Sequence, residues 1–353
     1  MASQELSQLR AEIDGVLADF TKARSNALVD IGSELQPVAA AMTEFITDGG
    51  KRFRPIFAYL GYLGTGAAPR PEILKACTAL ELVHVCALIH DDVMDGSDTR
   101  RNKPAIHKLF QALHDDSSYQ GNSERFGLAS AILLGDLALV WADRLLVESG
   151  ITREEFINAQ EVFSDMRDEL MAGQYLDVLE GALATTSVER SLKVARFKSG
   201  KYSIERPLHF GAALADRSDF NETYSNFGLP LGEAFQLRDD VLGVFGDPKV
   251  TGKPAGDDIR EGKRTVLIAV TMENSSPSER KIVTSALGNH MLSDDEVEEI
   301  QAIIKSTGAL AEVEKLITEL TDQAISALQQ SQVEGKIVGI LKEMAIIATQ
   351  RSV

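Results

Sequence analysis

Cysteine and basic residues are scarce in this chain. Its 353 residues include only two cysteines, Cys77 and Cys86, which excludes a disulfide framework and favours a reducing compartment. Lysine and arginine number 36 against 53 aspartates and glutamates, so the formal net charge is −17. This charge argues against a nucleic-acid-binding role. An anionic ligand would need local basic residues or metal ions to approach such a surface.

Long uninterrupted apolar runs are also missing. No stretch reaches the roughly 18 apolar residues that span a bilayer. The first residues, Met1-Ala2-Ser3-Gln4-Glu5, are polar and acidic and contain no signal-peptide core. These absences predict a cytoplasmic protein without a transmembrane segment. The hydrophobic fraction of 44% still permits a sizeable core.

Helical periodicity fills most of the chain. Apolar residues recur at three- and four-residue steps in five segments: Ile73–Asp95, Phe126–Leu145, Phe156–Leu179, Phe227–Leu242 and Asp294–Gln350. Thr265–Val270 is strand-like in composition, but no partner strand lies nearby, so we predict a buried helix. No repeat or clear linker interrupts the pattern. The prediction is an all-α, single-domain helical bundle over residues 1–353, with its site in a central cavity.

Loops are predicted where glycine, proline and small polar residues gather. The four predicted loops are Gly64–Pro71, Asp115–Ser123, Gly246–Gly262 and Ser275–Ser278. The acidic pair Asp115-Asp116 lies in the second of them, and we interpret it as solvated. We assign no role to residues 111–125.

The first acidic cluster is Asp91-Asp92-Val93-Met94-Asp95, at the end of an apolar helical segment. Asp91 and Asp95 are four residues apart and therefore neighbours on one helix face. Asp92 lies about 100° away and could be an alternate ligand. Mg²⁺ typically takes one or two carboxylates and completes its shell with water and phosphate oxygens. Taken alone, the cluster could also be a run of charge at a helix end. The apolar helix before it, Arg100-Arg101 after it and a second acidic cluster together favour magnesium and a diphosphate ligand.

A second acidic cluster, Asp239-Asp240-Val241-Leu242-Gly243, repeats this design on another predicted helix. Gln236 and Asp239 are three residues apart and share a face. Gly243 stands where a third carboxylate would follow, and together with Gly246 it is expected to end the helix. The cluster then offers one or two ligands for a single ion. Lysines in the glycine-rich segment that follows could fold over a phosphate.

Basic residues gather in an acidic protein at two places. Gly49-Gly50-Lys51-Arg52-Phe53-Arg54-Pro55 opens a predicted helix, where glycines permit close approach and free amides favour an anion. Arg100-Arg101 follows the first acidic cluster after a short loop, as a phosphate clamp would. His84 lies two turns before Asp91 on the same face. His90 and His107 are interpreted as structural.

The ordered set of motifs resembles the trans-isoprenyl diphosphate synthases, the polyprenyl synthase family. The resemblance extends from Gly49 to Lys263, and its specificity lies in the order of many modest motifs. These are Gly49–Pro55, His84 with Leu88–Asp95, Asp98–Arg101, Gly135-Asp136, Gly173-Gln174 with Asp177, Lys198–Lys201, Phe235-Gln236 with Asp239-Asp240, and finally Lys253, Asp258 and Lys263. Gly243 departs from the family pattern, which often has a third aspartate there.

The resemblance implies an all-α fold of the isoprenoid synthase type and a homodimer. It implies about three Mg²⁺ ions, two held by Asp91 and Asp95 and one by Asp239, with less certain parts for Asp92 and Asp240. The allylic diphosphate would be bound by Arg100, Lys198 and Lys253, beside Asp258 and Lys263. Isopentenyl diphosphate would be bound by Lys51, Arg54, His84 and Arg101. Gln174, Ser199 and Gln236 would line the reacting carbons, with Arg100, Lys198, Ser199 and Gln236 in catalytic roles.

Small residues precede the first acidic cluster and bear on product length. Ala87 and Cys86 lie about 6 and 7.5 Å before Asp91 along the helix, and Val83 lies one turn deeper. Bulky side chains here would stop a growing chain early, whereas small ones let it pass. In family terms this predicts geranylgeranyl diphosphate, with a farnesyl or longer product as the alternative. Trp141 is a candidate floor of the cavity, although core packing is its simpler interpretation.

Two other functions remain to be weighed. A class I terpene cyclase shares the first motif, but it usually has an Asn/Asp-Asp-x-x-Ser/Thr-x-x-x-Glu second motif, and this chain contains no Asn-Asp pair. A cyclase would also have no use for Lys51, Arg54, His84 and Arg101. A non-catalytic partner subunit should have lost its metal ligands, yet both clusters keep theirs.

Overall fold

Helices make up nearly all regular structure in the computed structural model, which describes residues 2–184, 186–246 and 255–350. The first helices are α1 Ala2–Val29, α2 Gln36–Thr47, α3 Phe53–Gly64, α4 Pro71–Asp95, α5 Ile106–Asp116, α6 Ser123–Val147 and α7 Arg153–Leu183. A short hairpin of β1 Thr99–Arg100 and β2 Lys103–Pro104 follows α4. A 3₁₀ turn, Ser33–Leu35, precedes α2.

The later elements begin with α8 Val188–Val194, a π-helix Ala195–Glu205, α9 Arg206–Leu214 and a 3₁₀ turn Ser218–Phe220. They continue with α10 Asn221–Phe245, α11 Asp257–Arg260, α12 Val266–Asn274, α13 Pro277–Ala286, α14 Asp294–Ser306, α15 Ala309–Gln329 and α16 Gly335–Thr349. The all-α prediction is confirmed.

The described residues group into two compact units. The first comprises Met1–Val162 with Pro207–Ser218, and the second comprises Phe163–Arg206 with Asp219–Val353. Each unit contains one of the two acidic clusters. The assignment of residues 1–353 to a single domain stays a prediction.

Helix α4 is the central element of the first unit and packs on α3 and α6. Most of its apolar residues are buried, including Ile73, Leu80 and Val83 at 0% exposure, whereas Met94 near its end is 50% exposed. Pro71 begins the helix, where its missing N–H costs nothing. Gly96, with φ 69°, ends it in the left-handed conformation that glycine adopts readily. The helix therefore stops directly after Asp95.

Helix α10 plays the corresponding part in the second unit, where it packs against α15 and the π-helix. Its buried face joins a core formed with α12, α14 and α15. Val266–Val270 of α12 are buried in that core, which confirms the interpretation of this segment as a buried helix. A Cβ on Gly232 would lie 2.6 Å from Cα of Gly200, so two glycines let the π-helix and α10 cross in close contact.

Two boundaries can be compared with the sequence prediction. Helix α10 passes through Gly243 but ends at Phe245, directly before Gly246, which is one of the two glycines predicted to end it. The predicted loop 246–262 contains the short helix α11, while residues 247–254 lie outside the described part. Asp115 and Asp116 form the end of α5, and both are exposed.

Two helices, α4 and α6, are long and apolar enough to cross a membrane by length and composition alone. The apolar window is 72% buried in α4 and 44% buried in α6. Core helices of globular proteins meet the same criterion, so this finding assigns no membrane role. Isolated polar residues interrupt both helices, so neither contains an unbroken run of roughly 18 apolar residues.

Candidate active site

The first acidic cluster occupies the last turn of α4. Carboxylates there face the negative end of the helix dipole, and this turn contains no basic residue to offset them. The guanidinium of Arg100 supplies the offset. Its Nε donates to Asp92 Oδ1 over 2.9 Å, and its Nη2 lies 3.5 Å from Asp91 Oδ2. Asp92 is only 1% exposed, whereas Asp91 keeps 18%.

The hairpin after α4 separates the two neighbouring arginines. Arg100 is in strand β1, while Arg101 and Asn102 form the turn with φ values of 54° and 61°. Two successive positive φ values are typical of a type I′ turn. Arg101 Nη1 donates to the backbone oxygen of Asp48 at 3.2 Å, away from the carboxylates that Arg100 contacts. The two adjacent arginines therefore contact different parts of the structure.

His84 lies among the basic residues of the first unit. Burial lowers the pKa of His84 well below its usual value, and the positive charges of Arg54, Arg101, Arg100 and Arg52 lower it further. The neutral imidazole is thus the resting form. Arg54 is 7% exposed, and Lys51 is exposed with its Nζ 5.8 Å from the Phe53 ring. The structure therefore gathers His84 with three of the predicted arginines.

The predicted chain-length residues differ in their surroundings. Val83 and Cys86 are buried at 0% and 1% exposure, while Ala87 stays partly exposed. The Cys86 thiol lies 3.7 Å from His90 Nδ1, and the His90 ring occupies a notch that any side chain at Gly135 would fill. Cys86 and His90 therefore share the α4 face that meets α6. Ala87, in contrast, lies one turn from Asp91 on the acidic face.

Trp141 on α6 is 5% exposed and contacts Phe20 of α1 edge-on, with ring centroids 6.2 Å apart. Such an aromatic pair is typical of a packed core. The geometry agrees with core packing as its simpler interpretation. Its part as a cavity floor stays a prediction.

The second acidic cluster lies within α10 rather than at its end. Asp240 is 5% exposed, and Gln236 Nε2 donates to its Oδ1 over 2.7 Å. Burial, together with the negative charges of Asp258 and Asp239, raises the pKa of Asp240 to about 8. The Gln236 hydrogen bond and Lys263 act in the opposite direction. Gln236 thus partners Asp240, although the sequence placed it on the face of Asp239.

Gly243 has a specific neighbour. A Cβ at this position would lie 1.9 Å from Asp258 Oδ2 and 2.4 Å from its Cγ. The carboxylate of Asp258 therefore fills the space that a third aspartate of the cluster would need. Lys263 Nζ lies 3.3 Å from Asp258 Oδ1. Asp258 and Lys263 are thereby gathered at the second cluster, whereas Lys253 lies outside the described residues.

Lys198 is on the π-helix and contacts α7. A Cβ on Gly173 would lie 2.3 Å from the Lys198 nitrogen, so the glycine permits the close approach. Lys198 Nζ donates to Asp177 Oδ2 over 2.5 Å. Gln174 and Ser199 are both partly buried. Motif residues from α7 and the π-helix are thus brought together in the second unit.

The carboxylates fit a hard cation that takes few protein ligands. Among the described residues, no three His, Cys, Asp or Glu side chains converge to hold a metal by themselves. Mg²⁺ commonly binds through one or two carboxylates plus phosphate oxygens and water. Charge crowding at Asp240 is relieved when a cation is near. The donor set therefore fits Mg²⁺ in the presence of a phosphate-containing ligand.

Sequence reasoning missed the buried partners of the basic loop. Arg52 is 2% exposed and forms an ion pair of 2.8 Å with Glu81, which is also 2% exposed. The two residues are 29 positions apart in the sequence, so no local spacing predicts this ion pair. Burial of Arg52 depends on these distant partners and not on its neighbours in the chain, since Lys51 one residue away is exposed.

Comparison with known proteins agrees with this chemistry. The profile of the Polyprenyl synthetase family matches residues 36–304. The geranylgeranyl diphosphate synthase of Sulfolobus acidocaldarius is 32% identical over 323 residues, covering 90% of this chain and 92% of that protein. The geranylfarnesyl diphosphate synthase of Aeropyrum pernix is 32% identical over 279 residues, covering 77% of this chain and 81% of that protein.

A solved structure is also similar over nearly the whole chain. The geranylgeranyl pyrophosphate synthase of Corynebacterium glutamicum, complexed with isoprenyl diphosphate and magnesium, has a TM-score of 0.94 and 38% identity. The match covers 98% of this chain and 99% of that one. From the profile match, the relatives and this fold, the chain belongs to the polyprenyl synthetase family and is a trans-prenyltransferase.

Proposed function

We propose that this prenyltransferase is a geranylgeranyl diphosphate synthase. It condenses isopentenyl diphosphate with allylic diphosphates, head to tail and with trans geometry, until the product has twenty carbons. The observation that carries the proposal is the partly exposed pair of Asp91 and Asp95 on the last turn of α4, one turn beyond Ala87. A diphosphate bound at those carboxylates would direct its hydrocarbon tail along a face with a small side chain.

The allylic diphosphate is assigned to the acidic residues and to one set of cations. Asp91 and Asp95 would hold two Mg²⁺ ions and Asp239 a third, with Asp92 and Asp240 as supporting carboxylates. The cations are Arg100 and Lys198, followed by Lys253 and Lys263, with Asp258 beside them. Arg100 and Lys198 now contact carboxylates, which supports the assignment because both guanidinium and ammonium are already oriented by charge.

Isopentenyl diphosphate is assigned to Lys51, Arg54, His84 and Arg101. The low pKa of His84 supports this assignment, since a neutral imidazole can donate one hydrogen bond to a phosphate oxygen without adding charge. The arginines supply the charge. Arg101 does so from a turn rather than from a strand, which separates its site from that of Arg100.

The reaction follows from these contacts. Mg²⁺ held by these carboxylates would neutralise the diphosphate and so make it a better leaving group. Arg100 and Lys198 hold that diphosphate while the bond between C1 and oxygen breaks and the electron pair leaves with oxygen. The alkene of isopentenyl diphosphate then forms the new carbon–carbon bond to C1. A proton leaves from the adjacent carbon to the released diphosphate, so no side-chain base is needed.

Three polar side chains are assigned to the reacting carbons. Gln174, Ser199 and Gln236 are placed there by resemblance, and each is partly buried. Apolar walls keep water from the allylic cation, which it would otherwise quench. Fixed positions of the two substrates supply much of the acceleration.

A homodimer is part of the proposal. Helix α6 exposes four aliphatic side chains: Ile132 at 48%, Leu133 at 65%, Val140 at 61% and Val147 at 67%. Apolar stripes of this kind commonly mark a protein interface. Light scattering of the purified protein should give twice the chain mass of 38.4 kDa.

We further place the enzyme in the cytoplasm without a membrane-spanning helix, supported by the 72% burial of the apolar window in α4.

Product analysis tests the function directly. The purified protein is incubated with Mg²⁺, isopentenyl diphosphate and, separately, dimethylallyl, geranyl or farnesyl diphosphate. Mass spectrometry should find the same twenty-carbon diphosphate from each starter. A fifteen- or twenty-five-carbon end product would move the assignment to a farnesyl or geranylfarnesyl synthase. Turnover without isopentenyl diphosphate would indicate a cyclase, and an inert protein would indicate a partner subunit.

A further inference from the structure

Arg52 differs from the two cations beside it in the basic loop. Lys51 is exposed, and Arg54 is a predicted substrate ligand, but Arg52 ranks first among the largest fully buried side chains of the described residues. A buried guanidinium requires partners for its donors. The family resemblance implies no contact between Arg52 and substrate. The role of Arg52 is therefore indicated by the protein groups that it contacts.

Three nitrogens of Arg52 donate to three different helices. Nη1 donates to Glu81 Oε1 of α4 over 2.8 Å, and Nε donates to Asp14 Oδ1 of α1 over 2.8 Å. Nη2 donates to the backbone oxygen of Ile46 in α2 over 2.9 Å. Arg52 itself directly precedes α3. One side chain thus links the basic loop to α1, α2 and α4.

The backbone of the loop needs such an anchor. Gly49, Gly50 and Arg52 have φ values of 70°, 123° and 54°. Glycine adopts positive φ freely, but a residue with a side chain does not. The contacts of the Arg52 side chain hold the unfavourable conformation in place. A Cβ at Gly50 would lie 3.2 Å from Arg52 Nη1 and 3.6 Å from Arg101 Nη2, so the loop is also closely packed.

Glu81 anchors the other end of the contact. It lies on α4 three residues before His84, on the same helix face. Its Oε1 accepts from Arg52, while its Oε2 has no hydrogen-bond partner among the described residues. The charge of Glu81 also acts on Arg101. Glu81 is therefore a buried anion beneath the cations that face isopentenyl diphosphate.

We propose that Arg52 and Glu81 are a positioning pair, which fixes Lys51 and Arg54 on the loop relative to His84 on α4 and so sets the site for isopentenyl diphosphate in advance. Neither residue touches the substrate. The inference rests on the proposed assignment of Lys51, Arg54 and His84 to that substrate. A site whose cations are already placed binds a diphosphate without ordering a loop.

Glu81→Gln separates positioning from simple electrostatics. Glutamine keeps the size of Glu81 and an oxygen that can accept from Arg52, but it removes the negative charge. If Glu81 only repelled the incoming diphosphate, its neutralisation would lower the KM for isopentenyl diphosphate. If the pair positions the loop, the weakened contact raises that KM. The two views predict opposite signs.

The experiment measures steady-state kinetics of Arg52→Lys, Arg52→Met and Glu81→Gln, with each substrate varied at saturating concentrations of the other. We expect the KM for isopentenyl diphosphate to rise about 10- to 100-fold, with Arg52→Met the largest. The KM for the allylic diphosphate should stay within about twofold and kcat within about threefold. Arg52→Lys should recover part of the loss, because lysine restores one contact.

Arg70→Met is the matched control. Arg70 forms an ion pair with Glu155 in the same unit and precedes the other end of α4, far along the helix from His84. Its loss should lower the melting temperature without changing either KM. This separates the effect of losing any arginine–glutamate pair from the effect of losing this one.

Several outcomes would overturn the inference. One is an unchanged or lower KM for isopentenyl diphosphate in folded Glu81→Gln. Another is an equal rise in both KM values. The third is a failure of both Glu81→Gln and Arg52→Lys to fold, because the pair would then be purely structural. The proposed function is tested separately by the wild-type enzyme in the same assay. Should the wild type form no condensation product, the function fails and not the pair.

Discussion

On α4 the carboxylates of Asp91 and Asp92 lie against the guanidinium of Arg100, whereas on α10 the carboxyl of Asp240 lies near two further carboxylates. The first cluster is thus balanced by the fixed positive charge of Arg100. The second is balanced largely by a proton on Asp240. A cation can enter the first cluster directly, but at the second it competes with that proton. Similar sequence motifs therefore have different electrostatic resting states.

Replacing a ligand in the first cluster should have the largest effect. Asp91→Ala removes a carboxylate that we propose holds Mg²⁺ beside the leaving diphosphate. Loss of that stabilisation, about 4 kcal/mol, corresponds to a fall in kcat of roughly 10³-fold. Steady-state assays with saturating Mg²⁺ measure it. Asp116→Ala, in the exposed acidic pair at the end of α5, is the control and should leave kcat unchanged. A fall smaller than tenfold for Asp91→Ala would place the ions elsewhere.

A side chain at Gly243 should disturb the second cluster. Alanine normally stabilises a helix over glycine, but here its Cβ would collide with the Asp258 carboxylate. We expect Gly243→Ala to lower the free energy of unfolding by about 1 to 3 kcal/mol and to reduce kcat. Chemical denaturation measures the first quantity.

Gly339→Ala gives the matched control for Gly243. Gly339 is exposed within α16, and a Cβ there would meet nothing within 4 Å. This variant should gain up to about 1 kcal/mol of stability. Adding Asp258→Ala to Gly243→Ala should restore part of the lost stability, because it removes the collision. Stability losses that simply add would show that the two residues do not interact.

We expect side-chain size on α4, and not on α10, to determine product length. One turn before the first aspartate of each cluster, α4 has Ala87 while α10 has Phe235. Ala87→Phe makes the two alike and should shift the main product from twenty to fifteen carbons, as measured by mass spectrometry. Ala302→Phe, on the exposed face of α14, is the size control. Unchanged product lengths would contradict growth along this face of α4.

Adding Cys86→Phe should sharpen the shift in product length but weaken the fold. Cys86 is 1% exposed on the face that meets α6, so an aromatic ring would overpack the contact by about 1 to 3 kcal/mol. The single Ala87→Phe variant is therefore the cleaner test. The double variant is compared with it for both product length and melting temperature.

The smallest expected effect is a pH dependence of stability that originates at Asp240. Its folded pKa of about 8 lies above the unfolded value near 4, so the native state keeps a proton that the unfolded chain has lost between these pH values. Stability therefore falls as pH rises through that window. Melting temperatures in EDTA, measured from about pH 5 to pH 8, should fall less steeply in Asp240→Asn than in the wild type. Parallel curves would contradict the shifted pKa.

Magnesium should oppose this trend. A cation near Asp239 and Asp240 favours the ionised carboxylate, so stabilisation by Mg²⁺ with pyrophosphate should grow with pH. In Asp240→Asn this growth should be weaker. The comparison isolates the contribution of Asp240, since the first cluster is the same in both proteins.

Much of the helical framework follows from local sequence. The buried residues of α4 recur at helical spacing, and Gly96 ends the helix where the positive φ is needed. The segment Val266–Val270 was also predicted as a buried helix because no partner strand lay nearby. Such features depend on neighbours in the chain, and these are visible in the sequence.

Other features depend on residues that are distant in sequence. The sequence predicts that Gly243 and Gly246 end the helix; Gly246 does follow it, but α10 passes through Gly243, beside which the Asp258 carboxylate lies. The π-helix around Gly200 accompanies a close crossing at Gly232. Burial of Arg52 requires partners on three other helices. None of these contacts has a local signature.

The two cysteines have a practical consequence. Both are buried, and burial raises the pKa of the Cys86 thiol to about 12 and that of Cys77 higher still. Since the thiolate is the reactive form, neither cysteine should react with maleimides or spin-label reagents in the native protein. New cysteines at exposed Asp116 and Lys315, one in each compact unit, would then be the labelled positions. Resonance energy transfer between them could follow, in the otherwise native enzyme, any motion that accompanies substrate capture.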